Sequence, residues 1–321
     1  MVSIESRAKS ALLGLFIGDA VASPVHWYYN RQQLVKDYGT ITGYVKPKQH
    51  FPNSIMNLSN TGGAGRGSDK GSIIGDVINH GKKEFWKQGG NIHYHWGLEA
   101  GENTLEGQLT RLLLRTITKD KHEFTAASFV KEYVTFMTTP GSHNDTYASS
   151  CHRLFFQNWV QKIDPSECPG NDGHNVDSID ALTLTVPVIL KYCGCEKKKL
   201  YQKVEEVIRA TRRVSPDYHR FSHLFADILV ETLQGKDLRT VIEENTKRVF
   251  KISVRQMVEQ AGKEDPMVAC YIDQSFAALL HFAYKYAESP EQAVLANANA
   301  GGENVARGSL LGSLLGAAHP G

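Results

Sequence analysis

The chain of 321 residues is 41% hydrophobic and 22% charged, and 36 lysines and arginines against 34 acids leave a formal net charge of +2. That balance describes a globular protein with ample core and gives no electrostatic case for nucleic acid or an anionic membrane as partner. Five cysteines, Cys151, Cys168, Cys193, Cys195 and Cys270, are odd in number and include no Cys-x-x-Cys pair, which excludes a cysteine zinc ribbon, argues against a disulfide framework and fits a reducing cytoplasm.

The N-terminus, with Arg7 and Lys9 ahead of ALLGLFIG and Ala20-Val21-Ala22, imitates a signal peptide, but Glu5 and Asp19 interrupt the pattern. No apolar run is expected to reach the ~20 residues that span a bilayer. Within this first helix Ala11, Gly14, Gly18 and Ala22 recur every fourth residue, so they share one side. Pro24 ends the pattern before His26-Trp27-Tyr28-Tyr29. Residues 39–75 carry few helix signals. Residues 40–45 suit a short extended piece, and the glycine-rich residues 61–68 read as a loop without the Lys-Ser/Thr of a phosphate-binding P-loop.

From Glu102 onward the periodicity is helical. Helices are expected over 102–118, 122–138, 145–162, 178–193, 196–213, 216–235, 237–250, 267–288 and 290–299, with apolar residues at i, i+3, i+4 and i+7 marking 216–235 most clearly. No composition shift divides them, so residues 1–321 read as a single all-α domain, a compact multi-helix fold. Residues 296–318 read as the closing helical stretch, with Gly308, Gly312 and Gly316 again four apart. Three helix-interior glycines cost about 3 kcal/mol, which close approach of another backbone would offset. The first and last helices are therefore expected to pack through their small faces, bringing Asp19 near Glu303 and Asn304.

Polar groups gather in four places, each at a turn or helix start: Asp19 with His26; His93 and His95 followed by Glu102-Asn103-Thr104; His143-Asn144-Asp145; and Glu303-Asn304 with Arg307. Helix capping alone accounts for an acid at a helix start. Four such starts in one chain point instead to helices converging on one cavity, lined by Asp19, His26, Glu102, Asn103, Asp145 and Glu303. Asp19, Glu102, Asn103, Thr104, Asp145, Glu303 and Asn304 are oxygen-bearing residues of the kind that hard cations such as magnesium prefer. No Gly-x-Ser-x-Gly elbow or placed Cys–His pair favours a nucleophilic mechanism.

The motifs carry a resemblance. Gly14-Leu15-Phe16-Ile17-Gly18-Asp19-Ala20 resembles the opening motif of the ADP-ribosylglycohydrolase family, and residues 299–308 with the glycine-rich stretch after them resemble its closing motif. The resemblance implies a compact all-α fold with two magnesium ions between helices, hydrolysing the bond between ADP-ribose and a side chain or small group. The family's Thr-Asp-Asp-Thr becomes Gly101-Glu102-Asn103-Thr104, and its Asp-Thr-Asp-Thr becomes Glu303-Asn304-Val305-Ala306. Val305 and Ala306 offer no ligand atom, so one magnesium at most, held by Glu102, Thr104 and Glu303, or none, is expected.

For a hydrolase, Glu102 or Glu303 would be general base and His26 its acid/base partner. Asp19, Asn103, His143, Asn144, Asp145 and Asn304 would contact an ADP-ribose-like ligand, with Arg307 on phosphate. His26-Trp27-Tyr28-Tyr29 and Ser142-His143-Asn144-Asp145-Thr146-Tyr147 resemble the branch that includes the jellyfish J-type lens crystallins. A non-catalytic lens-type protein and an ADP-ribose-binding module therefore stand beside the hydrolase.

Overall fold

The computed structural model describes residues 2–52, 54, 73–87, 91–119, 123–173 and 176–321. The glycine-rich residues 61–68 lie outside these. The fold is built around two helices, α1 (Ile4–Ala22) and α14 (Val305–Ala318), which run antiparallel with glycines facing glycines. Gly14 meets Gly312, Gly18 meets Gly308, and Gly316 meets the backbone of Ser10. A Cβ on Gly308 would lie 2.7 Å from the carbonyl oxygen of Gly18, and one on Gly312 or Gly14 would overlap the opposite carbonyl outright. Only glycine lets the backbones approach this far, which gains dispersion and weak Cα–H···O contacts in return for the helix propensity lost.

Around this pair α14 packs on α12 (Ile272–Lys285), α13 (Pro290–Ala300) and α9 (Tyr218–Leu233), while α1 also touches α4 (Leu105–Lys119) and α7 (Thr185–Tyr192). The outer helices are α2 (Arg31–Tyr38), α3 (Lys83–Lys87), α5 (Ala126–Thr138), α6 (Ser150–Trp159), α8 (Lys197–Arg209), α10 (Leu238–Phe250) and α11 (Val254–Ala261). One continuous apolar core joins them, so the all-α single-domain expectation holds.

The closing stretch divides where a helix over 290–299 and a helix start at Glu303-Asn304 are expected, Gly301 and Gly302 taking φ of 73° and 67° between α13 and α14. Two expectations are corrected. The extended piece at residues 40–45 forms no strand; the described residues contain only isolated bridges, such as His50 with Ile92. Ile4–Val25 is long and apolar enough to cross a membrane after all, but just over half of it is buried inside the protein, against α14 and its neighbours.

Candidate active site

The double-glycine turn sets the site. The Gly302 amide donates to Tyr28 O (2.7 Å), Gly302 O accepts from Trp27 N (2.8 Å), and the Glu303 amide donates to Val268 O (2.8 Å). Side chains at Gly301 or Gly302 would strike the backbones of Tyr28 and Val268, and the left-handed φ disfavours them further. Trp27 itself takes φ of 61°, a conformation unusual for a bulky residue and held by that bond to Gly302. Its ring stacks on His26 at 3.7 Å. The turn thus brings Glu303 and His26 together.

They begin a buried relay. His26 Nε2 lies 3.0 Å from Glu303 Oε2, His26 Nδ1 lies 2.7 Å from His95 Nε2, and His95 Nδ1 lies 2.8 Å from Asp145 Oδ1. His93 fixes the middle: its Nδ1 accepts from the His95 amide (2.9 Å), so its Nε2–H donates to Pro24 O (2.8 Å). Burial holds His93 neutral, its pKa pushed down to about 3. Three hydrogen bonds in the relay need three protons, and the pKa directions place them. Burial lowers His26 despite Glu303, whereas Asp145 raises His95 against the opposing effect of burial. Asp145 is lowered in turn, the His95 charge overcoming burial. His95 is therefore the imidazolium, and neutral His26 accepts from it and donates to Glu303.

This relay borders a cavity of about 300 Å³. Trp27, Tyr29, Tyr94, Tyr147 and Tyr271 supply aromatic wall, and Leu105, Val305 and Ala306 supply aliphatic wall. Four carboxylates reach it: Glu106, Asp145, Asp180 and Glu303. Asp145 spends both oxygens, on His95 and on the Leu105 amide at the start of α4 (2.7 Å). Glu303 spends both, on His26 and the Ala306 amide (3.1 Å). Asp180 is bound by Arg212 at 2.9 Å and by Ser178. Glu106 differs. Its Oε1 accepts from Ser149 Oγ (3.0 Å) and faces His152 Nε2 (2.8 Å), while its Oε2 is buried with no partner among the described residues.

The residues singled out in the sequence separate into four groups. His26, Thr104, Asp145 and Glu303 line the cavity. Asp19 and Asn103 sit behind it. Asp19 accepts from the Thr104 amide (2.8 Å), the Thr104 hydroxyl (2.7 Å) and Asn103 Nδ2 (3.0 Å), and burial raises its pKa to about 6. These hydrogen bonds cap α4.

Asn304 and Arg307 are core residues. Asn304 Nδ2 donates to Val25 O, and Arg307 donates to Asn297 Oδ1 (2.6 Å) and Gly301 O (3.0 Å) beneath the Phe282 ring. Glu102, His143 and Asn144 are not among the residues that line the cavity. Glu102 is tied to the Glu99 amide and to Asn144, and His143 stacks on Phe136, with burial pushing its pKa down to about 4. Sequence reasoning missed Glu106.

An ADP-ribosylglycohydrolase family model matches residues 1–320. The chain belongs to this family. A solved structure described as an ADP-ribosylglycohydrolase-related protein complex shares the fold, with a TM-score of 0.60 at 16% identity over 99% of this chain and 89% of that one. A comparison with curated proteins found no match.

Metal binding is typical of the family, and the residues at the corresponding positions here do not fit a two-magnesium centre. Val305 and Ala306 present no donor. Asn103 Oδ1 accepts from Arg111 and the Thr104 hydroxyl is committed to Asp19. Glu102 is outside the cavity, so the set Glu102, Thr104 and Glu303 is not assembled there. Elsewhere, one His/Glu cluster lies on α8 and α9.

Proposed function

We propose that this protein hydrolyses a glycosidic bond of an ADP-ribosyl or related ribosyl compound, with Glu303 as general base. The supporting observation is the Glu303–His26–His95–Asp145 relay opening on an enclosed aromatic cavity. A carboxylate backed by an imidazole can take a proton from water while the relay redistributes charge toward Asp145. The water oxygen bonds to the anomeric carbon, the bond to the leaving group breaks with its electron pair, and the proton held by Glu303 passes to that group.

Glu106 Oε2 is the carboxylate oxygen left for the ligand. A buried unpaired acceptor costs about 1–3 kcal/mol, so a sugar hydroxyl donating to it would bind with that gain and be positioned at once. Glu106 thus supplies a substrate contact, a role distinct from the general-base and metal-ligand roles expected of Glu102. Among the described residues no lysine or arginine lines the cavity, and Arg307 is spent in the core, so the glycosyl end enters while phosphate stays at the mouth beside Tyr29. No step passes through a metal.

Val305 and Ala306 at positions where ligands are expected favour a second reading, a module that binds the ribosyl group without turnover. The branch containing the jellyfish J-type lens crystallins is supported by motif wording alone and belongs with that reading. The test is release of ADP-ribose from ADP-ribosylated peptides and from small ADP-ribose esters, followed chromatographically with and without magnesium. Turnover abolished by Glu303→Gln and unaffected by Glu102→Gln supports the hydrolase. Binding with no release supports the module, and neither binding nor release overturns both.

A further inference from the structure

Outside the cavity, α8 and α9 bring together Glu205, His219 and His223, each with one ligand-type atom within 4.8 Å of the others. His219 and His223 are four residues apart on α9, hence on one face. Their rings lie 6.1 Å apart at an interplanar angle of 24°. Tyr201 stacks flat on His223 at 4.0 Å, limiting its rotation, and His223 Nε2 lies 2.9 Å from Glu205 Oε1. His219 has a buried Nδ1 with no hydrogen-bond partner among the described residues. An ordinary surface ion pair explains the contact between Glu205 and His223 but leaves His219 idle.

We propose that these three side chains form a binding site for one divalent transition-metal ion of zinc type. Two imidazole nitrogens and a carboxylate oxygen are a donor set suited to zinc and its neighbours rather than to magnesium or calcium. Burial lowers the pKa of His219, which keeps it in the neutral, ligating form at physiological pH. Arg209, paired with Glu205 Oε2 at 2.8 Å, is the opposing charge, and Asp177 also faces His219 electrostatically. The Arg209 side chain is more than half exposed and can swing into water when the ion arrives. Three protein ligands leave room for water on the metal. The ion ties the end of α8 to the first turns of α9, so its role is to hold this helix pair together, independent of the cavity chemistry.

The experiment titrates metal-free full-length protein with cobalt, read by visible absorption, and with zinc, read by calorimetry and by histidine imidazole NMR. One equivalent should bind, shifting His219 and His223 among the 13 histidines, with magnesium failing to compete. His219→Ala and His223→Ala should each weaken zinc roughly 10–100-fold or more. Cys195→Ser, which removes the exposed thiol, should leave binding unchanged. No uptake at micromolar zinc, or uptake that shifts other histidines or depends on Cys195, overturns the proposal. The NMR readout on unaltered protein decides the matter even if a variant fails to fold.

Discussion

At the scale of single residues, charge placement in the relay makes the sharpest expectations. His95 is raised by Asp145, so its imidazolium should persist above the ordinary histidine range, and the stability it contributes is present in acid and lost as pH rises through that raised value. Asp145 is lowered, so its contribution is present above its unfolded value near 4 and lost only as pH falls through the lowered one. The pair is therefore strongest between those two limits. Imidazole NMR should show His95 titrating above its usual value, with His26 and His93 below theirs. Asp145→Asn should drop His95 to or below the ordinary range; a His95 titration unchanged in that variant would contradict the relay. Glu106→Gln should weaken ribosyl-ligand binding in calorimetry by about 1–3 kcal/mol, roughly 10–100-fold, whereas Glu102→Gln should leave it unchanged. His95 stood out in the sequence only as half of the His93/His95 pair, with no role assigned, and Glu106 did not stand out. A histidine between aromatic residues carries no mark of the long-range partner that charges it, and the open oxygen of Glu106 is visible only once Ser149 and His152 are seen to occupy the other.

At the scale of elements, the four-residue spacing of Gly14 and Gly18 against Gly308, Gly312 and Gly316 made the α1–α14 contact legible, because a repeat with that period can only face one side of a helix. Gly312→Leu should overpack a site where even a Cβ overlaps the Gly14 carbonyl, lowering stability by several kcal/mol in chemical denaturation. Gly194→Ala, whose added methyl meets nothing within 4 Å, should stay within about 0.5 kcal/mol of the original. Equal stabilities would refute the packing argument. The helix start after Gly301 and Gly302 was legible, but the bonds that fix the turn were not, because Tyr28 and Val268 come from distant parts of the chain. The acids at the start of α4 show the same limit. Asp19 and Asp145 do cap that helix, as helix-start chemistry predicts, but they belong to other segments, and only Asp145 also enters the cavity.

At the scale of the whole molecule, the family fold encloses a cavity whose carboxylates are largely bound to neighbouring side chains and amides. Among the described residues, three of the four carboxylates at the cavity are already held: Asp145 by the His95 imidazolium, Asp180 by Arg212, and Glu303 by hydrogen bonds from neutral His26 and the Ala306 amide. Glu106 offers one unpaired oxygen, so holding a magnesium ion with a second carboxylate would require breaking one of these buried contacts, and removing a partner from a buried ion pair costs about 3–5 kcal/mol. Magnesium also surrenders its water reluctantly and demands near-octahedral oxygen ligation, which Val305 and Ala306 cannot help to complete. Millimolar magnesium should therefore give no saturable heat in calorimetry and leave the melting temperature in place, since stabilisation by a ligand grows only as its concentration passes the dissociation constant. Any ribosyl-bond hydrolysis should likewise survive a chelator. Crystals soaked in manganese and read by anomalous scattering provide the structural check. Two ions about 3.5–4 Å apart in the cavity would show that the His26 and His95 pairs give way to metal, restoring a dinuclear mechanism.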